Sequence, residues 1–470
     1  MSGVGVRAAG LKRELDRRDR KIAKQDREIA ALKHEVQQLK MALDAALRAG
    51  KREAAPFAKG EPRKTPQRPG RKPGPGYGSQ KGRARPDHVD ETILVPCPLQ
   101  CGTCGGRVEL EGKESQFQVD LPPIVPHTIE FEIHYGRCKR CLRRVQGRHP
   151  RQISNALGVC GVQFGPGVLA LAAYLNKCGG LSYGKIADLF DEVFHLQISR
   201  STLARGFQRL SDKAMPTYQG LVETIRGSPV VYPDETGWRI GGVRSWLWAV
   251  TNMAVTVYAI LRGRGFEQAS SILGKDYDGV IGSDGWSVYA KFDSATRQTC
   301  LAHLLRRCRE MLETAPEPVA EYVEKIKQVL QDAIALRDRS RKDGLPPRRF
   351  QAERQQIHAR MDLLLDDPEL SDDSLRFAQH LSNNREALFL FLERMDVEAT
   401  NWPAEHAIRP AVINRKTSGG NRSDAGASAQ AILTSIIQTC HQQGSSALEA
   451  FKSMLQYPIP TRYPIANGLR

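Results

Sequence analysis

Residues 230–238 read VVYPDETGW: a β-rich apolar run that closes on two adjacent carboxylates, Asp234 and Glu235. Val and Tyr favour a pleated, half-buried strand, whereas Asp next to Pro and Gly is also ordinary turn chemistry. The next fifty residues separate the two possibilities. The stretches RSWLWAVTN (244–252) and AVTVYAILR (254–262) form a hairpin pattern, and FEQASSILG (266–274) has helical periodicity. DGVIGSDGW (278–286) is a further buried strand that closes on Asp284. The order is therefore strand, strand, strand, helix, strand, with Asp234 closing the first strand and Asp284 the fourth.

That order predicts an α/β fold with a ribonuclease-H-like sheet, in which the first and fourth strands lie side by side and their carboxylates meet. Short, hard oxygen ligands of this kind suit Mg²⁺. Two such ions, roughly 3.5–4 Å apart, clamp the attacking and leaving oxygens of a phosphoryl transfer. A third carboxylate is expected from a later helix. Helical sequence fills residues 301–395, too long for a connecting loop, and reads as a helical insertion over about 304–395. After it, TNWPAEHAIRPAVINRKTSGGNRS places Glu405 among the cations Arg409, Arg415, Lys416 and Arg422, with Asp396 and Glu398 as rival third acids nearby. Glu235 is expected to support the site or its turn rather than to hold a metal.

The rest of the chain points to a polyanion. Of a formal net charge of +17 over 470 residues, residues 1–90 supply +12, from 23 Lys and Arg against 11 Asp and Glu. Such asymmetry suits nucleic acid, whose condensed counterions are released on contact. Apolar residues make up 40% of the chain, which argues against global disorder. No apolar run reaches the roughly 20 residues that span a bilayer, and the N-terminus carries no secretory h-region. A cytoplasmic, nucleoid-associated protein is the expectation.

Several modules precede the acidic region. Within residues 1–50, Leu15, Ile22, Ile29, Val36 and Leu43 recur every seven positions with Leu32, Leu39 and Ala46 between them, a coiled-coil seam that would pair two copies of the chain. Residues 51–90 are a basic, Pro- and Gly-rich linker; its RPGRKPGPG resembles a minor-groove hook, with Arg71 and Lys72 toward DNA. Residues 91–150 carry CPLQCGTCGG and YGRCKRCLRR, two Cys-x-x-Cys knuckles giving Cys101, Cys104, Cys138 and Cys141 for one Zn²⁺ in a zinc-ribbon-like unit, with Cys97 as an alternative ligand. Residues 151–225 read as a helical helix-turn-helix region, whose second helix starts at a Ser cap, Ser199 or Ser201, and offers Arg200, Thr202, Arg205 and Gln208 to a groove. The catalytic region then spans 226–425, and 426–470 is a C-terminal helical segment.

Taken in order, DET (234–236), SDGWSVY (283–289), CLAHLLRR (300–307) and NWPAEHAIRPAVINRK (401–416) resemble the insertion sequence 66 family of bacterial transposases. The resemblance extends over nearly the whole chain. It implies a DDE triad at Asp234, Asp284 and Glu405 holding two Mg²⁺ (or Mn²⁺) ions. It also implies a Cys-x-x-His element at Cys300 and His303, a pair that either binds metal or packs the sheet against the insertion. The partners implied are double-stranded DNA, as transposon ends and as target, a second copy of the chain, and accessory proteins of the same element. A DNA-binding regulator that keeps the fold without catalysis is the alternative, and a full acidic triad is what such a protein need not retain.

Overall fold

The computed structural model describes residues 85–122, 124–158, 163–367 and 372–456, together with helical residues 25, 29, 32, 36 and 38. The chain divides into two units, Met1–Asp120 and Leu121–Arg470. In the first, Ile29, Leu32 and Val36 are helical and exposed. The rest of the coiled-coil seam, and Arg71 and Lys72 of the linker, lie outside the described residues.

At the centre of the second unit is a five-stranded sheet. Its strands in chain order are β3 (Val230–Ile240), β4 (Val243–Thr251), β5 (Thr256–Leu261), β6 (Val280–Ser283) and β7 (Thr296–Thr299); β1 (Tyr135–Arg137) and β2 (Arg144–Gln146) form a separate hairpin. The spatial order is β5-β4-β3-β6-β7, with β3, β4 and β5 antiparallel and β3, β6 and β7 parallel. This mixed sheet is consistent with a ribonuclease-H-like fold, and it places the first and fourth strands side by side as the sequence predicts. Strand β7 is not legible in the sequence. Its residues TRQT have no apolar alternation, and its buried Gln298 is satisfied by tertiary partners, donating to Leu388 O (3.1 Å) and accepting from Phe391 N (3.0 Å).

Helices α1 (Pro166–Lys177), α2 (Tyr183–Phe194) and α3 (Arg200–Arg226) precede the sheet, and α4 (Phe266–Leu273) connects β5 to β6. The insertion comprises α5 (Leu301–Leu312), α6 (Glu317–Asp343), α7 (Pro347–Leu365) and α8 (Asp372–Ser382), followed by two short 3-10 turns. Then come α9 (Trp402–Ser418), α10 (Asp424–Gln442) and α11 (Ala447–Gln456). No helix among the described residues is long and apolar enough to cross a membrane.

Strand alternation sorts side chains onto two faces of β3. Val231 points into a core shared with α1–α3, α10 and α11, so these helices and the sheet share one continuous interior. Val230 and Tyr232 point the other way, into the core of the insertion. Further along that second face, Trp238 and Ile240 join Ile408 and Ala411 of α9 in a third cluster.

The outer edge of β5 is covered by a helix, as exposed edges require. Tyr258 N donates to Ser435 Oγ (2.8 Å) and Thr256 N to Thr439 Oγ1 (3.2 Å). Alternate strand residues are about 6.7 Å apart and helix residues four apart about 6 Å, so one row of hydroxyls matches one row of edge amides. Ser435→Ala would leave the buried Tyr258 N–H unpaired and should lower stability by about 1–3 kcal/mol, read from the urea-unfolding midpoint.

Candidate active site

Strand β3 continues through the acidic pair to Ile240, so Asp234 lies mid-strand instead of at a strand end, and PDETG is not a turn. The sequence misleads here because Pro233 and Gly237 resemble turn residues, while pairing of Asp234 with Ala249 and Glu235 with Trp248 fixes both as strand. Alternation then sends the two carboxylates to opposite faces. Glu235 goes toward the larger core, where Arg264 donates to its Oε1 (2.6 Å from Nη2) and Tyr289 OH to its Oε2 (3.0 Å). The Arg264 guanidinium lies over the rings of Trp246 (4.8 Å) and Trp286 (4.1 Å). Glu235 is fully engaged there.

Asp234 faces the other way. Val230 pairs with Val280 and Val231 with Ile281 in parallel. Continuing that register by three residues brings Asp234 level with Asp284, just past the end of β6. Gly282 lets the Tyr232 ring lie against β6: a Cβ there would lie 2.6 Å from it. Asp284 Oδ1 accepts from Trp286 N (3.0 Å), and Asp234 Oδ1 from Glu235 N (2.9 Å).

Helix α9 carries Glu405, whose charge reaches Asp234. Ala404 belongs to the insertion core and Ile408 to the cluster around Trp238, so Glu405 sits at the gap between two apolar clusters, as Asp234 does on β3. Burial, reinforced by the negative charges of Glu235, Asp284 and Glu405, pushes the Asp234 carboxyl up to about 7. The rival acids are committed elsewhere, Asp396 to Arg394 (2.6 Å) and Glu398 to Arg341 (3.0 Å).

The Cys-x-x-His pair lies directly behind Glu405. Cys300 N donates to Ser283 O (2.7 Å), and Cys300 Sγ accepts from Asn401 N (3.0 Å), joining the end of β6 to the start of α9. His303 Nε2 is 3.9 Å from Glu405 Oε1, its Nδ1 is buried without a hydrogen-bond partner, and ligand atoms of Cys300, His303 and Glu405 lie within 4.8 Å of one another. Asn401, which no local pattern in the sequence singles out, also donates through Nδ2 to Pro233 O (2.9 Å) and so ties α9 to β3 beside Asp234.

The expected DNA contacts fall into two groups. Arg200 and Arg205 are exposed at the start of α3, and Arg409 and Lys416 on α9. Thr202 is half-buried and serves the cap, its N–H donating to Ser199 Oγ (3.1 Å), which fixes Ser199 as the cap residue; Gln208 bonds to Asp212 (3.0 Å). Arg415 turns inward and donates to Thr236 Oγ1 (3.0 Å) and Gly237 O, pinning α9 to β3. The following SGGN stretch is also structural: Gly420 passes so close to Arg239 O that a Cβ would not fit, and Asn421 bonds to Arg239 and Gly241.

Each cysteine knuckle has the same backbone form. Cys101 N donates to Gly106 O (2.8 Å) and Gly105 N to Cys101 O (2.9 Å); Cys138 N donates to Arg143 O (2.9 Å) and Leu142 N to Cys138 O (2.9 Å). Gly105 and Leu142 take the left-handed conformation that closes each turn (φ 71° and 56°). Backbone N–H groups aimed at the sulfur lower the Cys101 and Cys138 thiols from their ordinary range, those of Thr103 and Cys104 for the first and of Cys141 and Arg140 for the second.

A five-stranded mixed sheet with acidic residues on and just past its adjacent parallel strands is consistent with the ribonuclease-H-like class of proteins. Residues 161–429, more than half of the chain, match the model of the transposase IS66 family. The chain belongs to that family, whose catalytic domain is of the DDE type, acts on DNA and uses divalent metal ions. Two relatives from Sinorhizobium fredii are similar to it. The uncharacterized protein y4qI is 22% identical over 54% of this chain and 52% of its own length, so the alignment spans about half of that relative. The uncharacterized protein y4jD is 22% identical over 76% of this chain and 75% of its own length.

The raised Asp234 carboxyl sets a pH dependence. Folding takes up a proton between the ordinary carboxylate range and about 7. The stability this group contributes is fully present below that range and lost as pH rises through about 7. With divalent ions chelated, Asp234→Asn should therefore melt a few degrees above the wild type at pH 8, and the difference should shrink as pH falls toward 4.

Proposed function

We propose that this chain is an active DDE transposase that binds transposon terminal inverted repeats, cleaves the DNA ends and joins them to target DNA. The reading is supported by the register that sets Asp234 level with Asp284 just past β6, and by burial together with the charges of Glu235, Asp284 and Glu405, which push the Asp234 carboxyl up to about 7. Such a donor set would suit hard divalent cations, because it is all carboxylate and a cation would offset the negative charge that raises Asp234. Two Mg²⁺ or Mn²⁺ ions held there would activate the attacking oxygen and stabilise the leaving 3′-oxygen.

The chain's own residues supply position. Asp234 gives a fixed carboxylate from a strand paired on both sides. Asp284 gives a second, oriented by Trp286 N. Glu405 comes from a helix whose start is tied to β3 by Asn401 and to the end of β7 by Cys300, so it is presented without rearrangement of the sheet. Exposed Arg409 and Lys416 on α9 run on from Glu405 along the helix and suit the phosphates beside the cut, while Arg200 and Arg205 at the start of α3 suit a groove of the terminal repeat. A dimer through the N-terminal coiled coil would hold two ends together.

Asp234→Asn, Asp284→Asn and Glu405→Gln should each abolish Mg²⁺-dependent cleavage of terminal-repeat DNA while gel-shift binding persists. Cleavage by Asp284→Asn at the wild-type rate would sink the assignment, and a wild type that binds but never cuts would leave the DNA-binding regulator as the better reading. For the cysteine knuckles we propose zinc as ligand. The chain purified under reducing conditions should carry zinc, and Cys101→Ser, Cys138→Ser or both should lower its content; a metal-free wild type would defeat the claim.

A further inference from the structure

The segment that delivers Glu405, residues 395–401, is gripped by the helical insertion. Arg341 near the end of α6 donates from Nη2 to Glu398 Oε1 (3.0 Å) and from Nη1 to Oε2 (3.3 Å), and reaches Met395 O (3.0 Å). One turn earlier, on the same face of α6, Arg337 Nη2 lies 3.5 Å from Glu398 Oε1 and donates to Met395 O (3.3 Å). Through its backbone, Glu398 N donates to Tyr232 OH (2.7 Å), which stands on β3 two residues before Asp234. The same segment is joined to α5 by Leu301 N on Ala399 O (2.9 Å). Glu398 is thus the charged link between the insertion, the catalytic strand and the approach to α9.

Stability does not account for this arrangement. Arg337 is only 2% exposed, and its Nε and Nη1 have no hydrogen-bond partner. Burying a guanidinium with two idle donors is costly, and apolar side chains of similar volume commonly pack as well as or better than such a pair. What the ionic cluster supplies is geometry: a bidentate fork fixes the angle as well as the distance of the carboxylate it holds.

We propose that Arg337, Arg341 and Glu398 form a positioning clamp through which the helical insertion sets Glu405 against Asp234, and so sets the divalent-ion affinity of the site. The proposal rests on the reading of Asp234, Asp284 and Glu405 as a divalent-ion site. The three clamp residues are positioning residues; they act through the segment they hold. The insertion is then part of the catalytic geometry and not only an added domain.

The test uses full-length Arg341→Ala, Arg341→Lys and Glu398→Gln. Arg341 is 42% exposed, so its variants fold even where Glu398→Gln, which strands Arg337, does not. Three quantities are read: the Mn²⁺ concentration giving half of the metal-induced rise in Tm without DNA, hydrogen exchange of amides 399–409 without metal, and the Mg²⁺ dependence of end cleavage. Arg341→Ala should raise the Mn²⁺ midpoint by about tenfold, the scale on which outer partners of ligating carboxylates act. It should also speed exchange over 399–409, leave DNA binding unchanged, and recover cleavage at high Mg²⁺, with Arg341→Lys between it and wild type. Wild-type midpoints and exchange in both Arg341→Ala and Glu398→Gln would overturn the clamp alone. A wild type with no divalent-ion response would overturn the carboxylate site, and the clamp's role with it.

Discussion

Mutual repulsion among carboxylates in a half-dry place is the constraint on which the rest of this structure turns. Asp234 is held on a central strand, with Glu235 behind it and Asp284 and Glu405 beside it, and it keeps its proton to about pH 7. Left to itself such a cluster would move apart, since each carboxylate is better solvated alone. It persists because every segment that carries an acid is held by contacts unrelated to the charge. β3 is paired on both sides, β6 lies between two parallel neighbours, and α9 is bolted at its start and along its length.

Those bolts explain much of the polar sequence near the site. Asn401 and Arg415 both donate to β3, one beside Pro233 and the other at Thr236 and Gly237, so they bracket Asp234. Cys300 closes the other side, taking the Asn401 amide while its own amide holds Ser283. The apolar layers complete the frame. The second face of β3 is covered by two clusters, and the gap between them is where Asp234 and Glu405 emerge. The segments that carry these acids are held by packed and hydrogen-bonded contacts on either side of them.

On the opposite face, Glu235 illustrates how neighbouring acids are separated in role by one step along a strand. Its carboxylate is neutralised by Arg264 and bonded by Tyr289, and it shares that environment with Trp246 and Trp286. It therefore contributes a fixed negative charge behind Asp234. The apparent doublet in the sequence is two separate devices.

The adjacency of the first and fourth strands and the family were legible in the sequence, because strand alternation and turn chemistry are local and the four acidic-region motifs are specific in order. The sequence also determined the cysteine knuckles, whose turns depend on adjacent residues alone. Only the tertiary structure pairs Asp396 with Arg394 and Glu398 with Arg341, in a geometry that folding sets. It decided that Arg415 faces inward, that TRQT is a strand, and that Asp234 lies mid-strand. In each case a polar residue was satisfied by a partner the local pattern does not specify, and the chain carries no local record of which group will answer a buried donor or charge.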